Sequence, residues 1–457
     1  VWCNAVAADH VKIPELLAPA GGMEQLKAAV RFGADAVYLA TDRFGMRQRA
    51  VNFTMDELGE AVRFAHEAGV SVHVTCNILM YDSDIVQLPE YFEALDEIGV
   101  DALIIGDLGA AALARKHAPH IALHVSTQAS VANAEAARVW QDLGASRIVL
   151  ARELSLDQIS ELRHELPSEL ELEAFVHGAM CMAISGRCLI SSYLTGRSGN
   201  RGHCTQPCRW NYKAMSTANV ADESSVSGAC NLPEALPSLL LEEEKRPGEL
   251  FELEQDAYGS FIMNAKDLNM LAHVRELADI GIDSLKIEGR NKKAFYVATV
   301  VNAYRHVLDG ADPSTFADEL LTVSHRPYGT GFYFGMAPQA PTYDGYEQTC
   351  LHVADVLDAR RTDDQTYELT IRCRNRFSEG DELEVLAPKT PLFSVTVKDL
   401  AWLGESVDES MPPVVQAVAI ANRANETGLY RFRTTSWVEP GSYLRRRQFR
   451  RSARSGC

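Results

Sequence analysis

No run in this 457-residue chain approaches the roughly 18 consecutive apolar residues that a membrane-spanning helix needs. The opening stretch, VWCNAVAADHVKIPELL, lacks the basic segment and following apolar stretch of a secretory leader. Both absences point to a cytoplasmic protein without membrane contact. Positive charge is also scarce: 44 lysines and arginines stand against 62 aspartates and glutamates, a formal charge of −18. So acidic a chain is not built to coat nucleic acid broadly. No Gly-x-Gly-x-x-Gly follows the first apolar run, which counts against a dinucleotide-binding fold. Neither His-Glu-x-x-His nor Gly-x-Ser-x-Gly occurs, so the zinc-protease and serine-hydrolase signatures are missing. Cysteine is sparse as well, and its distribution needs an explanation.

Four of the ten cysteines, Cys181, Cys188, Cys204 and Cys208, fall within 28 residues. A reducing compartment makes a disulfide knot a minor reading and favours metal or redox chemistry. Zinc sites prefer two close Cys-x2-4-Cys pairs, and only the last pair here is close. Four thiolates without histidine also suit an iron–sulfur cluster, whose loop spacing is freer. The glycines among them would let backbone N–H groups approach cluster sulfurs. Spacing alone leaves both metals open. For Cys3, Cys76, Cys230, Cys350, Cys373 and Cys457 the default is burial without a ligand.

A small phrase recurs along the first two thirds: Gly33-Ala34-Asp35, Gly69-Val70-Ser71, Gly99-Val100-Asp101, Gly144-Ala145-Ser146 and Gly281-Ile282-Asp283. Each follows a helical pattern and precedes a short apolar run of the kind buried in parallel sheets. Thr54 with Glu57, and Ser155 with Gln158, have the spacing of capping boxes. Such alternation predicts a (β/α)8 TIM-like barrel. Nine segments compete for eight strands, and FIMNAKD (261–267) is the expected surplus. An extension covers 1–12, the barrel spans 13–340, and an insertion interrupts it at about 213–258, where sixteen residues from 241 carry seven acids. Alternating runs over 341–444 predict a small C-terminal antiparallel β-barrel domain. Residues 445–457 carry six arginines and no acid, the pattern of a basic tail that is either solvated or in contact with nucleic acid.

Cys181 lies just past the strand ELEAFVHG, at the end where barrels keep their chemistry. Other polar residues end strands too: Asn77, His124, Ser126, Gln128, Arg152, Glu153, His177, Lys286, Glu288 and Arg290. Any one of them could be a rim salt bridge, but the set reads as an active site. His177, Lys286 and Glu288 are the candidates for catalysis. Arg187, Arg197, Arg201, His124 and Arg290 are the candidates for binding substrate.

The segments ELLAPAGGMEQLKAAVRFGADAVYLA, LHVSTQASVAN, FVHGAMCMAISGRCLISSYLTGRSGNRGHCTQPCRW, KRPGE, MNAKDL and GIDSLKIEGR resemble the U32 family, known as collagenase-like peptidases. The likeness runs from about residue 13 to 340 and continues more weakly beyond. Branches of that family serve oxygen-independent ubiquinone hydroxylation, hydroxylation of ribosomal RNA, or tRNA modification. The insertion and the single β domain resemble the tRNA branch most. That resemblance implies a hydroxylase forming 5-hydroxyuridine at the wobble position of tRNA, with prephenate as the hydroxyl source. It also implies a 4Fe–4S cluster on Cys181, Cys188, Cys204 and Cys208, and a sulfur or electron donor protein as a further partner. Asn269 stands where ubiquinone-branch relatives carry cysteine, which leaves Cys208 as the fourth ligand. The alternatives are a U32-type peptidase, or a hydroxylase acting on ribosomal RNA or a ubiquinone precursor.

Overall fold

Eight short parallel strands close into a barrel: β1 (Glu15–Pro19), β2 (Ala36–Leu39), β3 (Ser71–Cys76), β4 (Ala102–Ile105), β5 (Ala122–Val125), β6 (Arg147–Val149), β7 (Glu171–Gly178) and β8 (Ser284–Ile287). Each pairs with the next, and β8 pairs with both β7 and β1. This computed structural model describes residues 12–46, 52–181, 188, 190–209, 266–335, 337, 346–362, 365–405, 419–425 and 428–448. It also describes the backbone of 212–216, 239–243, 250–253, 255–256 and 259–260. The expected extension before residue 12 and most of the 213–258 insertion lie outside those residues. Within the insertion, Tyr212–Ser216, Leu239–Glu243 and Leu250–Leu253 form a three-stranded antiparallel sheet.

Helices follow the strands in turn: α1 (Met23–Phe32), α2 (Met55–Glu67), α3 (Leu88–Ile98), α4 (Leu108–His117), α5 (Ala134–Asp142), α6 (Leu156–Glu165), α7 (Val274–Ile280) and α8 (Ala294–Leu308). Both expected capping boxes form, at Thr54–Glu57 and Ser155–Gln158, each satisfying two N–H groups at its helix start. The five recurrent glycines all take left-handed φ values, from +72° at Gly69 to +100° at Gly33. They release the chain from helix to strand. The surplus segment is the expected one. Its last residue begins a short strand, Asp267–Asn269, that runs antiparallel to the end of β7 and stays outside the barrel.

The C-terminal domain is an eight-stranded antiparallel sheet on its own apolar core, which includes Val356, Leu369, Ile371, Leu383, Phe432 and Leu444. It packs against the α1–α8 side of the barrel. Tyr443 meets Phe32 at 5.9 Å between ring centroids, and His352 stacks on Phe295 at 4.8 Å. Being covered from both sides explains α8, which is buried continuously from Ala294 to Tyr304. Arg372 and Arg374 reach Glu24 of α1.

Arg445, Arg446 and Arg447, read from sequence as the start of a basic tail, instead belong to the strand Tyr443–Arg447. The strand is held because all three arginines have acidic partners. Arg445 is fully buried and grips Glu319 of the barrel with two nitrogens, at 2.7 and 2.8 Å, and Glu384 at 3.0 Å. Arg446 pairs with Asp381 and Arg447 with Glu384. The rest of the arginine-rich end, from 449, lies outside the described residues.

A buried charge that loses its partner is far costlier than a missing pair. Glu319→Ala should therefore destabilise the protein by about 3–5 kcal/mol, seen as a lower urea midpoint. The double variant Glu319→Leu with Arg445→Met should recover most of that loss.

Candidate active site at the barrel mouth

The barrel lumen is charged where most barrels are apolar. Glu173 on β7, with no exposed surface, accepts from Lys286 of β8 at 2.7 Å and from Arg147 of β6 at 3.2 Å. Arg147 also donates to Glu15 and Glu171, at 2.6 to 3.1 Å. Burial alone would raise the Glu173 carboxyl. The Lys286 ammonium and the Arg147 guanidinium outweigh it and hold the carboxyl below its usual range. The Lys286 ammonium also lies 4.4 Å from the centre of the Tyr38 ring and 5.6 Å from that of Phe175. Lysine, glutamate and two aromatic rings thus fix one another in place.

Above this layer a cleft of about 550 Å³, counted to its open mouth, lies at the C-terminal ends of the strands. Lys286 forms part of its floor with Phe175, Ile104 and Val149. Its polar wall takes in Asn77, Ser126, Gln128, Arg152, Glu288 and Arg290, all expected from sequence. Asn77 donates to Ser126 at 3.0 Å, joining β3 to β5 across the rim. Arg290 is buried, donating to Thr75 at 2.8 Å, to Asn52 at 3.2 Å and to the Met46 carbonyl. The Tyr38 hydroxyl reaches Glu288 at 3.3 Å and the Ile287 carbonyl at 3.0 Å. Three cations and one carboxylate around an aromatic floor suit a small anionic molecule.

Other expected residues sit elsewhere. His124 lies deeper in the lumen, edge-on to His73 at 4.8 Å, and burial holds its pKa well below the ordinary value. His177 does not line the cleft. Strand periodicity would place it on the same face as Glu173 and Phe175, but the β7–β8 register slips between Lys286 and Ile287. Its ring packs instead among Tyr296, Tyr304 and Tyr328, with centroids at 5.3 to 6.1 Å, fully buried. Glu153 is half-buried beside Arg152 and is not part of the cleft wall.

The cysteine loop rises from the end of β7. Cys181 is exposed, while Cys188, Cys204 and Cys208 are half-buried, and none of the four is in a disulfide. The backbone N–H groups of Ile190 and Ser191 point at the Cys188 sulfur, which lies within electrostatic reach of Cys181 and Cys204. Burial nevertheless pushes that thiol upward. Gln206 donates its N–H to Cys204 Sγ at 3.4 Å, from a left-handed backbone at φ +59°. Ser191 ties the loop ends together, donating to the Arg197 carbonyl at 2.7 Å and accepting from the Thr205 N–H at 3.1 Å. Among the described residues, no three His, Cys, Asp or Glu side chains are gathered closely enough to hold a metal ion. The thiols are neighbours on one loop rather than a formed coordination shell. Their chemistry, four sulfurs with N–H donors aimed at two of them, nevertheless fits an iron–sulfur group.

Arg201 of this loop forms a strap. Its guanidinium donates to both oxygens of Asp84, at 2.7 and 3.2 Å, and to the Leu79 carbonyl at 2.7 Å. That fastens the cysteine loop to the loop after β3. Arg197 is exposed, and Arg187 lies outside the described residues. Sequence reasoning missed Tyr38, Thr75, Phe175, Arg147 and Glu173. The last two left a signal, charges inside the apolar runs SRIVLA and ELEAFV.

A family model described as peptidase family U32 matches residues 21–342, and one for its C-terminal domain matches 348–425. The chain is 37% identical over 423 residues to tRNA hydroxylation protein P1 of Bacillus subtilis, covering 88% of this chain and 90% of that one. It is 36% identical over 399 residues to tRNA hydroxylation protein P of Escherichia coli, covering 82% and 86%. It is also 28% identical over 446 residues to a collagenase of Porphyromonas gingivalis, covering 92% and 97%.

Two buried imidazoles give the barrel a pH-dependent stability. Burial lowers His73 to about 4 and His177 to about 3, against the usual 6.5. Their neutral forms support the fold above pH 6.5, and that support is lost as pH falls towards these folded values. Stability should drop by up to about 1.4 kcal/mol per pH unit for each histidine. His177→Phe should flatten the fall in urea midpoint between about pH 7 and about pH 5 by one such contribution.

Proposed function

The chain belongs to peptidase family U32, and on that premise we propose that it is an RNA hydroxylase, forming 5-hydroxyuridine at the wobble position of tRNA. The observation that carries this reading is the match, over 82% to 88% of this chain, to two proteins named for tRNA hydroxylation. Prephenate is the proposed hydroxyl donor in place of dioxygen. Its two carboxylates suit a cleft walled by Arg152, Lys286 and Arg290. The 2.7 Å contact with Glu173 holds the Lys286 side chain at the cleft, where an anion can meet it. Glu288, held by the Tyr38 hydroxyl, is the carboxylate within the cleft for moving a proton.

A 4Fe–4S cluster is the proposed cofactor, with Cys181, Cys188, Cys204 and Cys208 as ligands. When bound, such a cluster would supply one-electron redox chemistry. An electron or sulfur donor protein would then be a partner. No helix among the described residues is long and apolar enough to cross a membrane, and a cytoplasmic setting suits a tRNA substrate.

The peptidase reading draws on the family name and on the collagenase relative. A thiol protease needs a base beside its cysteine. His177, the residue nearest in sequence to Cys181 that could serve, is enclosed by tyrosines behind the barrel wall. That weighs against it.

Two measurements test the proposal. Nucleoside analysis of tRNA from cells lacking this protein should lose 5-hydroxyuridine and anything made from it, and reintroducing the gene should restore both. Unchanged tRNA nucleosides with altered ribosomal RNA would shift the substrate to the ribosome. Protein purified without air should be brown and contain iron and inorganic sulfide. Cys208→Ser should abolish both, whereas Cys230→Ser should leave them intact, and stoichiometric zinc without iron would exclude the cluster.

A further inference from the structure

We infer that the rim of the barrel mouth carries two stacking platforms for unpaired bases, Tyr81 and Tyr346, so that the protein grips a single-stranded RNA loop. This rests on the RNA substrate proposed above and deepens it, by naming the structural class of RNA recognised and the residues that hold it.

Tyr81 lies in the loop after β3, five residues past the end of that strand. Its side chain is 54% exposed. One face of the ring lies against the Arg201 guanidinium, 4.3 Å from the ring centroid. Asp84 fixes both members of the stack, accepting from Arg201 through both carboxylate oxygens and from the Tyr81 N–H at 2.8 Å. The ring therefore projects beside the cysteine loop with its orientation already set. Exposed apolar side chains usually cost nothing to scatter, but here they gather: Leu79 and Val86 on the same loop are 49% and 75% exposed.

Tyr346 stands beside Lys292, which lies in the segment that follows β8. It is 49% exposed, and two cations approach its ring: Lys292 at 5.0 Å and Arg326 at 5.6 Å. Lys292 follows the end of β8 by five residues, and its ammonium also lies 4.9 Å from Tyr296 and donates to the Ser324 carbonyl at 2.9 Å. This tyrosine, too, is backed by positive charge at a strand end.

An aromatic ring that is half exposed, rigidly oriented and backed by a cation is what splayed-out bases stack on in RNA recognition. Stacking also suits the charge of this chain. An overall −18 repels phosphate, so affinity that comes from base faces is worth more here than affinity from a broad basic surface. Holding the neighbours of a base on the rim would leave that base free to enter the cleft.

The experiment is titration of the full-length protein with a fluorescent anticodon-loop-sized single-stranded oligoribonucleotide, and with a duplex of the same length. Wild type should prefer the single strand. Tyr81→Leu and Tyr346→Leu should each weaken that binding roughly 5- to 150-fold, the range for loss of one base stack. Tyr81→Phe and Tyr346→Phe should bind within about twofold of wild type, because stacking needs the ring and not the hydroxyl. The salt dependence of affinity should stay the same in all four variants, since no phosphate contact is removed. Equal affinity of wild type and the Leu variants would overturn this inference while leaving the RNA reading intact, and would assign the apolar rim to a protein partner. Wild type that binds neither these RNAs nor tRNA would overturn the RNA reading itself.

Discussion

Glu173 is the residue on which the site depends. It sits without exposed surface in the lumen of the barrel, between Lys286 of one neighbouring strand and Arg147 of the other. A lone carboxylate there would be protonated or excluded, because desolvation disfavours the charged form. Two cations reverse that balance, and their geometry then fixes β6, β7 and β8 at a common height. Lys286 is pinned beneath the cleft as a result, between aromatic rings on one side and its counter-ion on the other. Such a network adds little to stability compared with apolar packing of the same volume. Its value is positional: it brings a charged group to the floor of a cleft and holds it there.

The cysteine loop depends on that frame in turn. It leaves β7 at the mouth and is fastened at two places. The hydroxyl of Ser191 bridges backbone groups of residues 197 and 205 within the loop, and Arg201 binds Asp84 beyond it. The loop that carries the four thiols is consequently tied at the mouth to the loop after β3. Across the barrel wall, the terminal β domain clamps α8 and α1, and the buried Arg445–Glu319 pair joins its last strand to the barrel. Domain and barrel are therefore one structural unit behind the site.

The sequence alone determined the barrel and the neighbourhood of its site. Helix–strand alternation, glycine after each helix and capping residues before the next are local signals, so the eight strands and the one surplus segment could be told apart before folding. Polar residues at strand ends were legible for the same reason, since an apolar strand has no other use for them. Only the tertiary structure decided which of them share the cleft. His177 has the right position in its strand, yet a one-residue slip in the β7–β8 register turns it into a tyrosine cage. Arg201 looked like a substrate clamp, but Asp84, 117 residues earlier in the chain, engages it. Arg445 looked like a disordered tail, but Glu319 buries it. Periodicity describes neighbours a few residues apart, whereas each of these outcomes was set by a partner far away in sequence. A charged side chain goes wherever its counter-ion is, and that location exists only once the chain has folded.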